Sequence, residues 1–259
     1  MRALSRSIAW AYLALAYGFI LLPVAVLVLF SFQGSSVPVP PFDGPSLAWY
    51  AEILGDRRLT AALVNSLAVA AVSSAVACAL GFLAAWALAR HALPGSALIR
   101  GLIIAPMTVS TLIVGLGLLI LFNRLGIGNA LMLAGIGHVV INLPLAFAIL
   151  YASMSRAQAQ AERAARDLGA SELAVIRLVT LPMLAPALAA AFFLCVTLSW
   201  DEFIIAFLLT RFEVTLPVEI WSMLRSGLSP RINAVGSLVF LVSIAMVVAV
   251  EAVLAARRR

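Results

Sequence analysis

Long apolar runs broken by widely separated charges set the pattern of this chain. A charge at the bilayer centre costs about 2.5–3.5 kcal/mol, and a helix needs about 20 apolar residues to cross. Charge-free gaps therefore predict the spans. Six are long enough: Arg6 to Asp43 (span Ile8 to Phe30), Arg58 to Arg90, Arg100 to Arg124, Arg124 to Arg156, Arg177 to Asp201, and Arg231 to Glu251. The pattern predicts an all-α integral membrane protein with six transmembrane helices, residues 1–259 forming one transmembrane domain. The apolar run after Arg6 is long enough to span and lacks an obvious small-residue cleavage site, so it is expected to stay rather than be removed as a signal peptide.

One polar interruption in the C-terminal half differs from the others. Residues 156–186 read RAQAQAERAARDLGASELAVIRLVTLPMLAP, with four arginines and three acids between Arg156 and Arg177. The alanines predict a short helix over Ala157 to Leu168. Gly169 supplies the left-handed residue that ends it, and Ser171 with Glu172 opens the next helix at its positive end. That second helix leads toward the membrane through Leu181-Pro182. A soluble helix–turn–helix between two spans offers a handle for something outside the membrane.

Composition agrees with the spans. Hydrophobic residues make up 64% of the 259 positions, far above the apolar share of a soluble domain. The net charge is +6, but the arginines are scattered singly rather than lined along one face, so they report topology and membrane lipid, not nucleic acid. With the N-terminus inside, the inner segments hold Arg2, Arg6, Arg90, Arg100, Arg156, Arg163, Arg166, Arg177 and Arg257 to Arg259, which is 11 of the 17 basic residues. The outer segments hold seven acids: Asp43, Glu52, Asp56, Asp201, Glu202, Glu213 and Glu219. The positive-inside rule then puts both termini, and Arg156 to Arg177, in the cytoplasm. Cys78 and Cys195 both lie in apolar segments and read as packing residues.

Within the spans, Ser73, Ser74, Ala75, Ala77, Ala79 and Gly81 suit close helix contact. Pro106, Gly115 and Gly117 mark the third span, and Gly135, Gly137 and Pro144 the fourth. His138 and Asn142 are spaced i, i+4 and share a helix face; they either bond across to a neighbouring helix or line a pathway. Leu47, Trp49, Tyr50, Ile53 and Leu54 fit a short interfacial helix in the first outer loop. In the last outer region, Asp201 and Glu202 follow Trp200 directly and form either a solvated helix end or part of the pathway. Phe203 to Thr210 is too short to span, and either extends the fifth helix or folds back into the protein.

Chemistry is mostly excluded. The chain has no lysine and no P-loop, so any ATP is hydrolysed elsewhere. C-x-x-C, H-E-x-x-H and G-x-S-x-G are absent, leaving no candidate for catalysis. With only His91 and His138, at different depths, no metal site is expected.

Ala164-Ala165, Leu168-Gly169-Ala170, and Leu181-Pro182 with Pro186 resemble the EAA loop of binding-protein-dependent ABC transporter permeases. Trp49-Tyr50, Asn65-Ser66, Asp201 to Phe203, Leu216-Pro217, Trp221 to Arg225 and Pro230 to Ala234 further resemble the PotC-type subunits of spermidine/putrescine transporters. The likeness covers nearly the whole chain. It implies a type I importer, MetI-like fold in a bacterial inner membrane. A cytoplasmic ATPase dimer would bind ATP and Mg, a second, PotB-like permease would complete the pore, and a periplasmic binding protein would deliver the cargo. It also implies an ATPase-coupling role for Glu162, Arg163, Ala164, Ala165, Leu168, Gly169, Ala170, Leu181 and Pro182, and a polyamine-like cargo moved by alternating access. The motif usually begins Glu-Ala-Ala, whereas Arg163 stands at that acid's place with Glu162 one position earlier.

A rival reading is a stand-alone ion-coupled carrier or a scaffold. A carrier is expected to hold buried ionisable groups near the membrane centre, and none is expected mid-helix in these spans.

Overall fold

The computed structural model describes residues 2–227 and 229–256. Arg257 to Arg259, counted above for topology, lie outside the described residues. Among those described, helices account for nearly all regular structure, relieved by one isolated bridge between Gln33 and Pro45. This follows from the solvent: backbone groups in lipid must be satisfied within their own segment, and a helix does so.

Among the described residues, five helices are long and apolar enough to cross a membrane. They are α1 (Arg2–Phe30), α3 (Arg57–Arg90), α6 (Ala130–Ala152), the run Glu172–Trp200, and α12 (Pro230–Ala256). The predicted third span is broken rather than straight. It consists of α4 (Ser96–Ile104) with a 3-10 turn over Ala105–Thr108, then α5 (Thr111–Leu125), bent by 105°. Pro106 has no N–H to continue the ladder, and Val109 and Ser110 are extended, with ψ of 140° and 137°.

The described chain divides into two compact units, one carrying α1, α2 (Ala48–Gly55) and Glu219–Ala245, the other Ala62–Val218 with the end of α12 from Met246. In the first, Trp49 Nε1 donates to the Gln33 carbonyl at 2.7 Å, and the Tyr50 hydroxyl lies 2.7 Å from Ser31 Oγ. The two aromatic residues of the predicted interfacial helix thus pin the loop that precedes it. Arg58 pairs with Glu219 at 2.9 Å, and Arg231 pairs with Asp56 and Glu52.

The second unit is built on α3, α6 and α9 (Leu181–Trp200). Cys78, Phe82, Ala85, Ala146, Phe147, Leu150, Leu184, Ala191 and Cys195 form its core. A Cβ on Gly81 would lie 2.9 Å from the Phe147 amide nitrogen, so only glycine permits this approach of α3 to α6. Ser73, Ser74 and Ala77 share the buried face, whereas Ala75 and Ala79 point outward and take no part in it.

A short helix, α10 (Ile204–Leu209), resolves the alternatives for 203–210. It is separate from α9 and folds back against α5 and α6, burying Ile205, Ala206 and Leu209. Gly115 and Gly137 make room: a Cβ on Gly115 would lie 2.7 Å from Leu208 Cδ1, and one on Gly137 would collide with Ile205 Cγ2.

Candidate coupling surface and buried polar track

The polar interruption forms α7 (Arg156–Asp167), a turn at Gly169, and α8 (Glu172–Val175). Ser155 caps α7 by accepting from the Gln158 N–H at 3.1 Å, and Ser171 caps α8 by accepting from Ala174 at 3.3 Å. Gly169 adopts φ +87°, with Gly169 N donating to the Arg166 carbonyl at 2.8 Å and Ala170 N to the Ala165 carbonyl at 3.0 Å. This pair of bonds is a Schellman ending and satisfies the carbonyls left over by α7. Arg166 then clamps across the turn to Glu172 through bonds of 2.6 and 3.0 Å. The hydrogen bond to Glu172 raises the Arg166 pKa above its ordinary value, against a smaller opposing effect of burial. From α8 the backbone widens into a π segment, Ile176–Thr180, and continues as α9. The break falls where Pro182 removes a donor from the ladder.

α7 has two faces. Its inward face carries Gln158 and Glu162, both buried. Glu162 is fully enclosed and accepts from Arg90 Nε at 2.6 Å, Arg90 Nη2 at 3.2 Å and Thr180 Oγ1 at 2.9 Å. Its outward face carries Arg163 and Ala164, with Ala165 half-buried between the two. Leu168 projects from the turn with 90% of its surface exposed, and Leu173 on α8 with 74%. Gly169 and Pro182 are exposed, while Ala170 and Leu181 are half-buried. The predicted coupling residues therefore share one structural unit but not one surface. Glu162 sits behind the face that Arg163 presents. Arg90, Thr180 and Leu173 were not singled out from sequence, and the Arg90–Glu162 contact spans 72 positions with no local signal.

The pathway candidates separate into two groups. His138 Nδ1 lies 2.5 Å from Ser199 Oγ, which lies 3.2 Å from Ser73 Oγ. Asn142 Nδ2 donates to the Cys195 carbonyl at 3.4 Å, and Cys195 Sγ donates back to the Asn142 carbonyl at 3.8 Å. His138 and Asn142 thus share a face and bond across to α9, making a buried polar track through α6, α9 and α3. His138 is a buried ionisable group well inside α6, against the expectation that none lies mid-helix. Trp200 is buried at the end of α9. Asp201 is exposed, and Glu202 Oε1 accepts the Ile205 N–H at 3.0 Å, capping α10. Ser73 also lines an open groove of about 470 Å³ between α3 and α6, with Val72, Val76, Met132 and Ile136 along it and Asn129 and Glu213 among its polar residues.

Residues 77–259 match the family of binding-protein-dependent transport system inner membrane components. The chain belongs to that family. The permease is 29% identical over 248 residues to the spermidine/putrescine transport system permease protein PotC of Escherichia coli (strain K12), covering 95% of this chain and 93% of that one. It is 34% identical over 235 residues to the putrescine transport system permease protein PotI of the same organism, covering 88% and 83%. Its fold resembles a chain from the crystal structure of a bacterial ABC transporter involved in the import of the acidic polysaccharide alginate, with a TM-score of 0.68, 21% identity and coverage of 97% and 95%. The fold of ABC importer permeases is thereby shown, and a transport subunit rather than a lone carrier or scaffold is the family's role.

Proposed function

We propose that this permease forms half of the pore of an ATP-driven polyamine importer, with α7, the Gly169 turn and α8 as the element a cytoplasmic ATPase grips. The observation that carries the coupling reading is Leu168. On a capped, ion-clamped turn beside a polar helix, a leucine 90% exposed offers a partner's groove an apolar knob held in place. In this reading both termini and the 156–177 segment lie in the cytoplasm, which the arginine bias supports. ATP and Mg sit on the ATPase dimer, a PotB-like permease supplies the other half of the pore, and a periplasmic binding protein delivers cargo. ATPase closure displaces α7 and α8, and the continuous run into α9 carries the motion to the spans as a rigid-body shift.

The polyamines that its relatives PotC and PotI are named for support a polyamine cargo, and the disposition of acids narrows where it would be met. Asp43 is engaged by Gln33, Glu52 and Asp56 by Arg231, Glu219 by Arg58, and Glu202 by the α10 amide. Asp201 and Glu213 are exposed and have no such partner among the described residues. These two carboxylates are the ones open to an ammonium group. The test is uptake of radiolabelled putrescine and spermidine by proteoliposomes holding the complete complex. ATP-dependent accumulation supports the cargo. Binding-protein-stimulated ATP hydrolysis with some other solute, without polyamine accumulation, overturns it.

A further inference from the structure

We propose that Arg90, Glu162 and Thr180 form a polar joint that delivers displacement of α7 to two spans at once. This rests on the coupling reading above and goes beyond it, because it assigns transmission to side chains that face away from the docking surface. The chain itself links α7 to α9 through Gly169, α8 and the π segment. Nothing comparable links it to α3, whose end at Arg90 is 72 positions away from Glu162. The ion pair supplies that link.

The geometry suits transmission. Glu162 is fully enclosed and the Arg90 side chain is only 11% exposed, so water does not screen the pair. Two guanidinium nitrogens engage two carboxylate oxygens, which fixes orientation as well as distance. Apolar packing, being non-directional, would let α7 slide over the end of α3. Thr180 completes the joint by donating to the same oxygen that Arg90 Nη2 reaches, from the end of the π segment. A π segment interrupts the regular helical ladder, and such interruptions are frequent at functional sites. Glu162 thus meets the ends of two spans at one carboxylate: α3, which carries Ser73, and α9, which carries Ser199 of the buried track.

The experiment uses the full complex in proteoliposomes and reads solute transported per ATP hydrolysed. Arg90→Met combined with Glu162→Leu removes both charges without stranding either, so the permease is expected to fold and to bind its ATPase as before. Transport per ATP should fall about fivefold or more, the lower end of typical coupling between sites. Thr180→Val, which keeps the ion pair and removes one bond, should give a smaller loss in the same direction and serves alone if the double variant does not fold. Unchanged transport per ATP in a folded variant overturns the joint and leaves a purely structural pair. Loss of ATPase binding in a folded, monodisperse double variant also overturns it, since the residues would then belong to docking. Failure of the coupling reading itself is distinguishable: there, Leu168→Arg leaves ATPase binding intact.

Discussion

Replacing Gly137 with alanine tests whether α10 is packed into the protein as described. Alanine at an ordinary helical position is favoured over glycine by about 1 kcal/mol, so the substitution would stabilise α6 if nothing lay against it. Here the new Cβ would collide with Ile205 Cγ2 and come within 3.1 Å of Leu209 Cδ1. Ile205 is fully buried and branched at Cβ, so its methyl has no free rotamer to retreat into. Overpacking of this kind costs about 1–3 kcal/mol, which outweighs or cancels the propensity gain. The net expectation is a loss of about 1 kcal/mol, or a fall in Tm of about 2–4 °C on the scale of domains this size. The assay is thermal unfolding of the purified permease in detergent for Gly137→Ala, Ile205→Ala and the pair. Ile205→Ala alone costs about 2–5 kcal/mol through its cavity. The pair should cost less than the sum, with an interaction energy of about 0.5–3 kcal/mol. A Gly137→Ala variant more stable than the parent, with additive behaviour at Ile205, would refute this packing.

Further expectations follow at other sites. At Asp56, burial pushes the carboxyl pKa up, but the Arg58 and Leu59 amides and the Arg231 guanidinium together hold it below the ordinary value. Its stabilising contribution should therefore be complete above about pH 4, the unfolded value, and be lost as pH falls through the lower folded value. Melting curves of the parent and Asp56→Asn should differ constantly from neutral pH down to about pH 5 and converge below about pH 4; a gap that persists unchanged in acid would contradict this assignment. Asp201→Asn and Glu213→Gln should reduce polyamine uptake with unchanged membrane insertion, and kinetics identical to the parent would remove the substituted residue from the pathway. Gly169→Ala, forced to φ +87°, should destabilise the turn by about 1–2 kcal/mol. Gly169→Asn should be milder, and equal melting temperatures for both variants would argue against the left-handed turn.

Several elements were legible from sequence because their causes are local. A charge-free gap and a capped, glycine-ended helix both act within a few residues, so most spans, α7, the Gly169 turn and Ser171 all fall where the pattern places them. The bend at Val109-Ser110 was not legible. Proline is tolerated in membrane helices whenever neighbours satisfy the freed carbonyl, so Pro106 alone does not decide between a kink and a break. The course of α10 is open in the sequence for a similar reason, since Gly115 and Gly137 reveal their purpose only against Leu208 and Ile205. Glu162 is the sharpest case. Its place beside the family motif suggests a surface role, but its orientation depends on Arg90 and Thr180, and distant pairing leaves no trace in a single sequence.

In the proposed function the Gly169 turn presents Leu168 to a cytoplasmic ATPase. Labelling of a Leu168→Cys permease with a membrane-impermeant maleimide tests it most directly, because the native Cys78 and Cys195 are both buried. Labelling is expected in inverted membrane vesicles but not in intact cells, and it should be blocked when the ATPase subunit is bound. Labelling from the outside of intact cells, or labelling in inverted vesicles that the ATPase does not diminish, would contradict the claim.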